Sequence, residues 1–251
     1  MSYSVAMNKG AKKIAEKGAF SVYENQKDFS VNYATAAAEY FASKMNLHVR
    51  QVMCDVAKSP VVVQAGAMQM MIGDVEAKTD VKGAGDLAKK LFRSSVVKES
   101  AIKPMYYGTG SLVLEPTMKY MLLYDVSEWG SGMVIEDGAF LACEASVNLK
   151  TVMRKTMSSA VAGNEGLFNL CLEGQGVACL ESSVPAEELV EVTLNNDVIK
   201  IDGSMAVAWS KDLSFTVEQT TKSLIGSAAS GEGLVNVYRG TGKVLIAPRF
   251  M

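Results

Sequence analysis

Apolar and polar residues alternate with a period of two through much of the second half of the chain. VEVTLN (190–195) and SFTVEQT (214–220) alternate cleanly, as strands with one buried and one wet face do. Short runs rich in Val, Leu, Ile, Phe and Tyr surround them: MKYMLLYDV, VIEDGAFLACEASVNLK, GLFNLCLEG, GVACLE, DVIKID, MAVAW, LVNVYR and KVLIAP. Each is bounded by Gly, Asn, Asp or Ser. Short strands with frequent turn signals predict a mainly β protein, a sandwich or barrel with no βαβ crossovers. Two segments keep a helical period instead. NYATAAAEYFASKMN (32–46) gathers Tyr33, Ala37, Tyr40, Phe41 and Met45 on one side, and GAGDLAKKLFRSS (83–95) gathers Leu87, Leu91 and Phe92.

Two turn markers recur in the same order. A G-x-G pair followed by an apolar run occurs at Gly108 and Gly110, at Gly174 and Gly176, and at Gly240 and Gly242, at intervals of 66 residues. A Gly-small-large signal precedes each pair: QAGAM around Gly66, EDGAF around Gly138 and IDGSM around Gly203. All nine glycines are read as structural turns. The pattern divides the chain into an N-terminal extension (1–46, partly helical) and three pseudo-repeated β units. Unit 1 is 47–116, with an inserted helix; units 2 and 3 are 117–182 and 183–248.

Composition removes several function classes. Twenty-five basic and 27 acidic side chains give a formal charge of -2, so no global field draws the protein to nucleic acid or an anionic membrane. A local excess of basic residues runs from Lys78 to Lys103, including Lys89, Lys90 and Arg93, without interleaved aromatics. The four cysteines, Cys54, Cys143, Cys171 and Cys179, lack C-x-x-C spacing and sit among apolar residues, which predicts buried free thiols and a reducing, cytoplasmic location. Neither a membrane span nor a signal-peptide core is read in the chain, so no membrane insertion is expected.

The terminal GTGK suggests a phosphate loop, but Val237 stands where the first glycine of a Walker A motif is needed. Val244 follows Lys243 where Ser or Thr should be, and a strand pattern continues where a helix should begin. The single histidine, His48, offers neither a metal cluster nor a catalytic triad. Glu136 and Asp137, and Asp202, directly precede repeat glycines, where acidic side chains brace turns. No catalytic residue, cofactor or metal is therefore expected, and the chain is not expected to be an enzyme.

QAGAMQMMIGDVEAKTDVKG (64–83), YYGTGSLVLEP (106–116), VIEDGAFLACEASVNLK (134–150) and GEGLVNVYRGTGKVLIAP (231–248) resemble the altered-inheritance-of-mitochondria family over about residues 50 to 250. The resemblance implies a fold similar to the trp RNA-binding attenuation protein, built from β-sandwich or double-stranded β-helix units. It implies no established enzymatic activity, and for mitochondrial members a link to organelle organisation. Two function classes stay open. One is a non-catalytic scaffold forming homo-oligomers through exposed edges. The other is a binding module, for a small apolar ligand between units or for RNA on the basic segment.

Overall fold

In FSVYEN, residues 20–25, Phe20, Val22 and Glu24 are buried while Ser21, Tyr23 and Asn25 are half-buried. This alternation is what a strand lying on an apolar layer requires, and each fully buried large apolar side chain contributes about 1.5–3 kcal/mol. The computed structural model describes residues 7–79, 103–153, 168–202, 205–219 and 234–248, and it is mainly β. The described strands are β1 (Ala11–Lys17), β2 (Phe20–Asn25), β3 (Arg50–Asp55), β4 (Val61–Val63), β5 (Met68–Lys78), β6 (Met105–Leu114), β7 (Tyr120–Asp125) and β8 (Met133–Ile135). They continue as β9 (Phe140–Glu144), β10 (Val147–Met153), β11 (Phe168–Gly174), β12 (Val177–Ser182), β13 (Val190–Asp202), β14 (Ala206–Ser210), β15 (Ser214–Gln219) and β16 (Leu234–Ile246).

These strands form two antiparallel sheets. One runs β1-β2-β3-β6-β4-β9-β12-β7, with β5 also on β6, and the other runs β10-β11-β8-β14-β16-β13, with β15 also on β16. Consecutive stretches of chain repeat one pairing scheme. A returning strand pairs first with the strand just before the turn, then with the strand before that. In β6, Tyr106 and Met105 face Val61 and Val62 of β4, and Ser111 to Val113 face Asp55 to Met53 of β3. In the next stretch, β11 lies on β8 and β12 on β7. In the last, β16 serves both roles along the length of β13. Equivalent hydrogen bonds recur as well: the N–H groups of Glu115, Glu181 and Ala247 donate to the carbonyls of Ala67, Ala139 and Met205, at 2.7, 2.8 and 2.8 Å.

The G-x-G pairs sit where the returning strand changes partner, which differs from the simple connection expected of them. Gly108 and Gly110 lie inside β6, Gly240 and Gly242 lie inside β16, and only Gly174 and Gly176 flank a break, between β11 and β12. On β6 the strand is packed tightly against its hairpin partner β5. A Cβ on Gly110 would lie 2.2 Å from the Ile72 carbonyl, and one on Gly108, at φ +124°, would lie 2.2 Å from that of Asp74. Glycine is needed for close backbone approach more than for a reversal of direction. Gly66 and Gly138 do sit in tight turns, with Ala67 N–H on the Gln64 carbonyl (3.0 Å) and Ala139 N–H on that of Glu136 (3.2 Å). Gly203 lies outside the described residues.

The N-terminal segment supplies an unexpected hairpin: β1 pairs with β2, and β2 covers the edge of β3. Within residues 32–46 the helix α1 is confined to Ala36–Lys44 and buries none of its residues. Tyr33, Tyr40, Phe41 and Met45, the expected apolar face, are all exposed. The helix expected at 83–95 lies outside the described residues. Apolar packing gathers into three clusters, centred on Phe20, Val63 and Leu112, on Trp129, Ile135 and Leu180, and on Trp209, Ile201 and Tyr238.

Candidate functional site

Successive stretches of chain join edge to edge through two short antiparallel seams. In the first, Val61, Val62 and Val63 of β4 pair with Glu144, Cys143 and Ala142 of β9. In the second, Met133, Val134 and Ile135 of β8 pair with Ser210, Trp209 and Ala208 of β14. Both seams are apolar and buried, with Val61, Val63, Ala142, Cys143 and Ile135 fully enclosed.

Six strands pair on one side only among the described residues, β1, β5, β7, β10, β13 and β15, and two of them bear on how the seams could continue. β5 pairs with β6 on one side only, and β13 pairs with β16 on one side only. The β5 edge begins MQMMIG, with no charge, and Met70 and Met71 are 45% and 44% exposed. On β13, Val198 is 43% exposed and Lys200 is exposed, while Ile201 is already buried. Natural sheet edges are usually guarded by charge, as β1 is by Lys12, Lys13, Glu16 and Lys17, so an uncharged methionine edge is unusual.

A cleft of about 380 Å³ opens beside the first seam, between the Gly66 and Gly138 turns, lined by Gln64, Glu115, Lys119 and Phe140 among others. Lys103 Nζ donates to Gln64 Oε1 (2.6 Å) and lies 4.3 Å from the Phe140 ring centre, while Lys119 Nζ meets Glu181 Oε2 at 2.5 Å. Lys119, which lines this cleft, and Lys103, which contacts two of its lining residues, are thus tied to neighbouring groups. Apart from Lys78, Thr79 and Lys103, the basic segment 78–103 lies outside the described residues.

His48 contacts the Asn25 carbonyl through Nδ1 (3.0 Å), beside a cleft of about 270 Å³ under α1. Lys243 of the GTGK stretch lies in β16, 3.6 Å from Glu191, and no helix starts beside it. All four cysteines are free and buried. Burial pushes the thiols up, that of Cys143 to about 12 and that of Cys171 to about 11. Thiolate chemistry is suppressed in the native fold. Among the described residues no three His, Cys, Asp or Glu side chains converge on a metal position, and no helix is long and apolar enough to cross a membrane.

Two structural groups escaped the sequence reading. Arg50 is buried and paired to Glu24, with Nη2 2.6 Å from Oε2. Glu144 accepts the N–H groups of Ala19 and Val177, both at 2.9 Å, tying the β1–β2 hairpin to the start of β12. Only a charged residue inside an otherwise apolar strand pattern hints at either.

Two antiparallel sheets joined through short buried seams define the protein as a mainly β chain. The family model described as Mitochondrial biogenesis AIM24 matches residues 43–249, and the chain belongs to that family. It is 30% identical over 193 residues to an uncharacterised protein of Streptococcus pyogenes serotype M6, covering 74% of this chain and 75% of that one. It is also similar to a crystal structure of a Streptococcus pyogenes protein solved as a structural genomics target. The TM-score is 0.58 and the identity 27%, over 82% of this chain and 90% of that one. These relatives carry no assigned biochemical activity in their descriptions.

Proposed function

We propose that the chain is a non-catalytic scaffold, built from three equivalent β units, that works by assembling with copies of itself. The carrying observation is the pair of uncovered edges on β5 and β13, with Met70, Met71 and Val198 exposed where the corresponding seam residues elsewhere are enclosed. The uncharged MQMMIG start of β5 is a template for another strand. The buried thiols suit a reducing compartment such as the cytoplasm. Light scattering coupled to size exclusion, checked by native mass spectrometry, should give one defined oligomer; a clean single chain at high concentration overturns the reading.

The cleft beside the first seam supports a second reading, a module that binds a small ligand between units. Native mass spectrometry of the protein from its source then shows a retained small-molecule mass, which Phe140→Ala releases. A protein carrying no extra mass removes this reading.

A further inference from the structure

Resting on the scaffold reading, we infer that the open edge of β13 pairs antiparallel with the open edge of β5 from a second copy, in the register of the two seams already formed within the chain.

Both in-chain seams obey one rule. The residue just after the short strand donates its N–H to a bulged residue on the incoming strand: Gln64 to the Leu141 carbonyl (2.8 Å), and Glu136 to that of Val207 (3.0 Å). Leu141 and Val207 are the extra residues at which the pairing of β9 and β14 shifts. At the far end of each seam a second bond closes, from the Ala145 N–H to the Pro60 carbonyl and from the Lys211 N–H to that of Gly132, both 2.8 Å.

The β5 and β13 edges carry the same parts. Pairing of β5 with β6 shifts between Met68 and Met70, so Gln69 is its bulged residue. On β13, Ile201 faces Asn236 just as Ile135 faces Leu170, 66 residues earlier, so Asp202 takes the place of Glu136. The rule then places the Asp202 N–H on the Gln69 carbonyl and pairs Ile201 with Met70, Lys200 with Met71, and Ile199 with Ile72. The Gly73 N–H closes on the Val198 carbonyl. The Val198 N–H is met locally by Asp197 Oδ1 (2.8 Å), as the Gly132 N–H is by the Trp129 carbonyl (3.4 Å), so only the carbonyl is needed at that end. The pairing covers the exposed Met70, Met71 and Val198 and leaves the same two edge types free at the ends. Such a head-to-tail contact propagates until it closes into a ring or grows as a fibre.

The test uses the full chain carrying Met71→Cys or Lys200→Cys, two exposed positions whose substitution leaves the core intact. Opposed residues in an antiparallel pair lie about 4.5–5.5 Å apart at Cα, inside the span a disulfide bridges. The two variants, differently tagged and co-expressed, should give a covalent hetero-dimer under mild oxidation, and each variant alone should not. Oligomers that form without this cross-link overturn the seam while the scaffold reading stands; a single chain in solution removes both. An intrachain disulfide in the Met71→Cys, Lys200→Cys double variant, with no gain in mass, shows closure within one chain and also overturns the inference. Met70→Asp with Met71→Asp should release single chains with an unchanged circular dichroism spectrum. Intact oligomers from that variant count equally against the seam.

Discussion

Replacing Arg50 by Ala tests how the first residue of β3 holds the chain that follows α1. Arg50 is 2% exposed, and its guanidinium lies 4.1 Å from the Tyr120 ring centre. Beyond the 2.6 Å contact with Glu24, it donates to the carbonyls of His48 (3.3 Å) and Asn46 (3.2 Å). Without the arginine, the Glu24 carboxylate stays largely buried with Gln26 Nε2 (2.8 Å) as its remaining side-chain donor. Breaking one side of a buried pair costs about 3–5 kcal/mol, against about 0–1 kcal/mol for an exposed one. At about 2–4 °C per kcal/mol for a chain of this size, Tm falls by roughly 6–20 °C. Urea denaturation at fixed protein concentration measures the loss without confusing it with assembly. The double variant Glu24→Leu, Arg50→Met removes both charges, and its loss should be well below that of Arg50→Ala. A loss under about 1 kcal/mol for Arg50→Ala would refute the reasoning, since that is the value of a solvated pair.

Gly110→Ala places its Cβ 2.2 Å from the Ile72 carbonyl, whereas Gly66→Ala meets nothing within 4 Å and bears only the cost of φ +84°, about 1–2 kcal/mol. Chemical denaturation should therefore show the larger loss at Gly110, and equal losses would contradict the close-approach account. Hydrogen bonds from Arg239 and then Thr216 hold the Glu218 carboxyl at about 2, below the ordinary carboxylate range. Because its folded value is depressed, its contribution is present above about pH 4.3 and disappears as pH falls toward 2. The stability gap between wild type and Glu218→Gln should close over that window; a gap that widens on acidification would disprove the sign. Native Cys54, Cys143, Cys171 and Cys179 should resist a thiol reagent at pH 8 and all four react in guanidinium, and rapid labelling of the folded protein would contradict their burial.

The sequence by itself determined the β class, because alternation in VEVTLN and SFTVEQT and the glycine-bounded apolar runs are local signals that burial on one face imposes. It also located the Gly66 and Gly138 turns and the 66-residue spacing, since backbone geometry at those points selects residue type directly. Pairing was beyond it. That Gly108 and Gly110 lie inside one strand depends on the approach of Ile72 and Asp74, more than thirty residues earlier in the chain. The apolar side of residues 32–46 read as a core face, yet only the surrounding packing decides whether a partner layer exists, and α1 buries nothing. The β1–β2 hairpin and the Arg50–Glu24 pair likewise arise from contacts between distant segments. So too do the open edges of β5 and β13: a strand's pattern fixes which face is buried, but whether each of its edges finds a neighbour is settled only when the sheets are assembled.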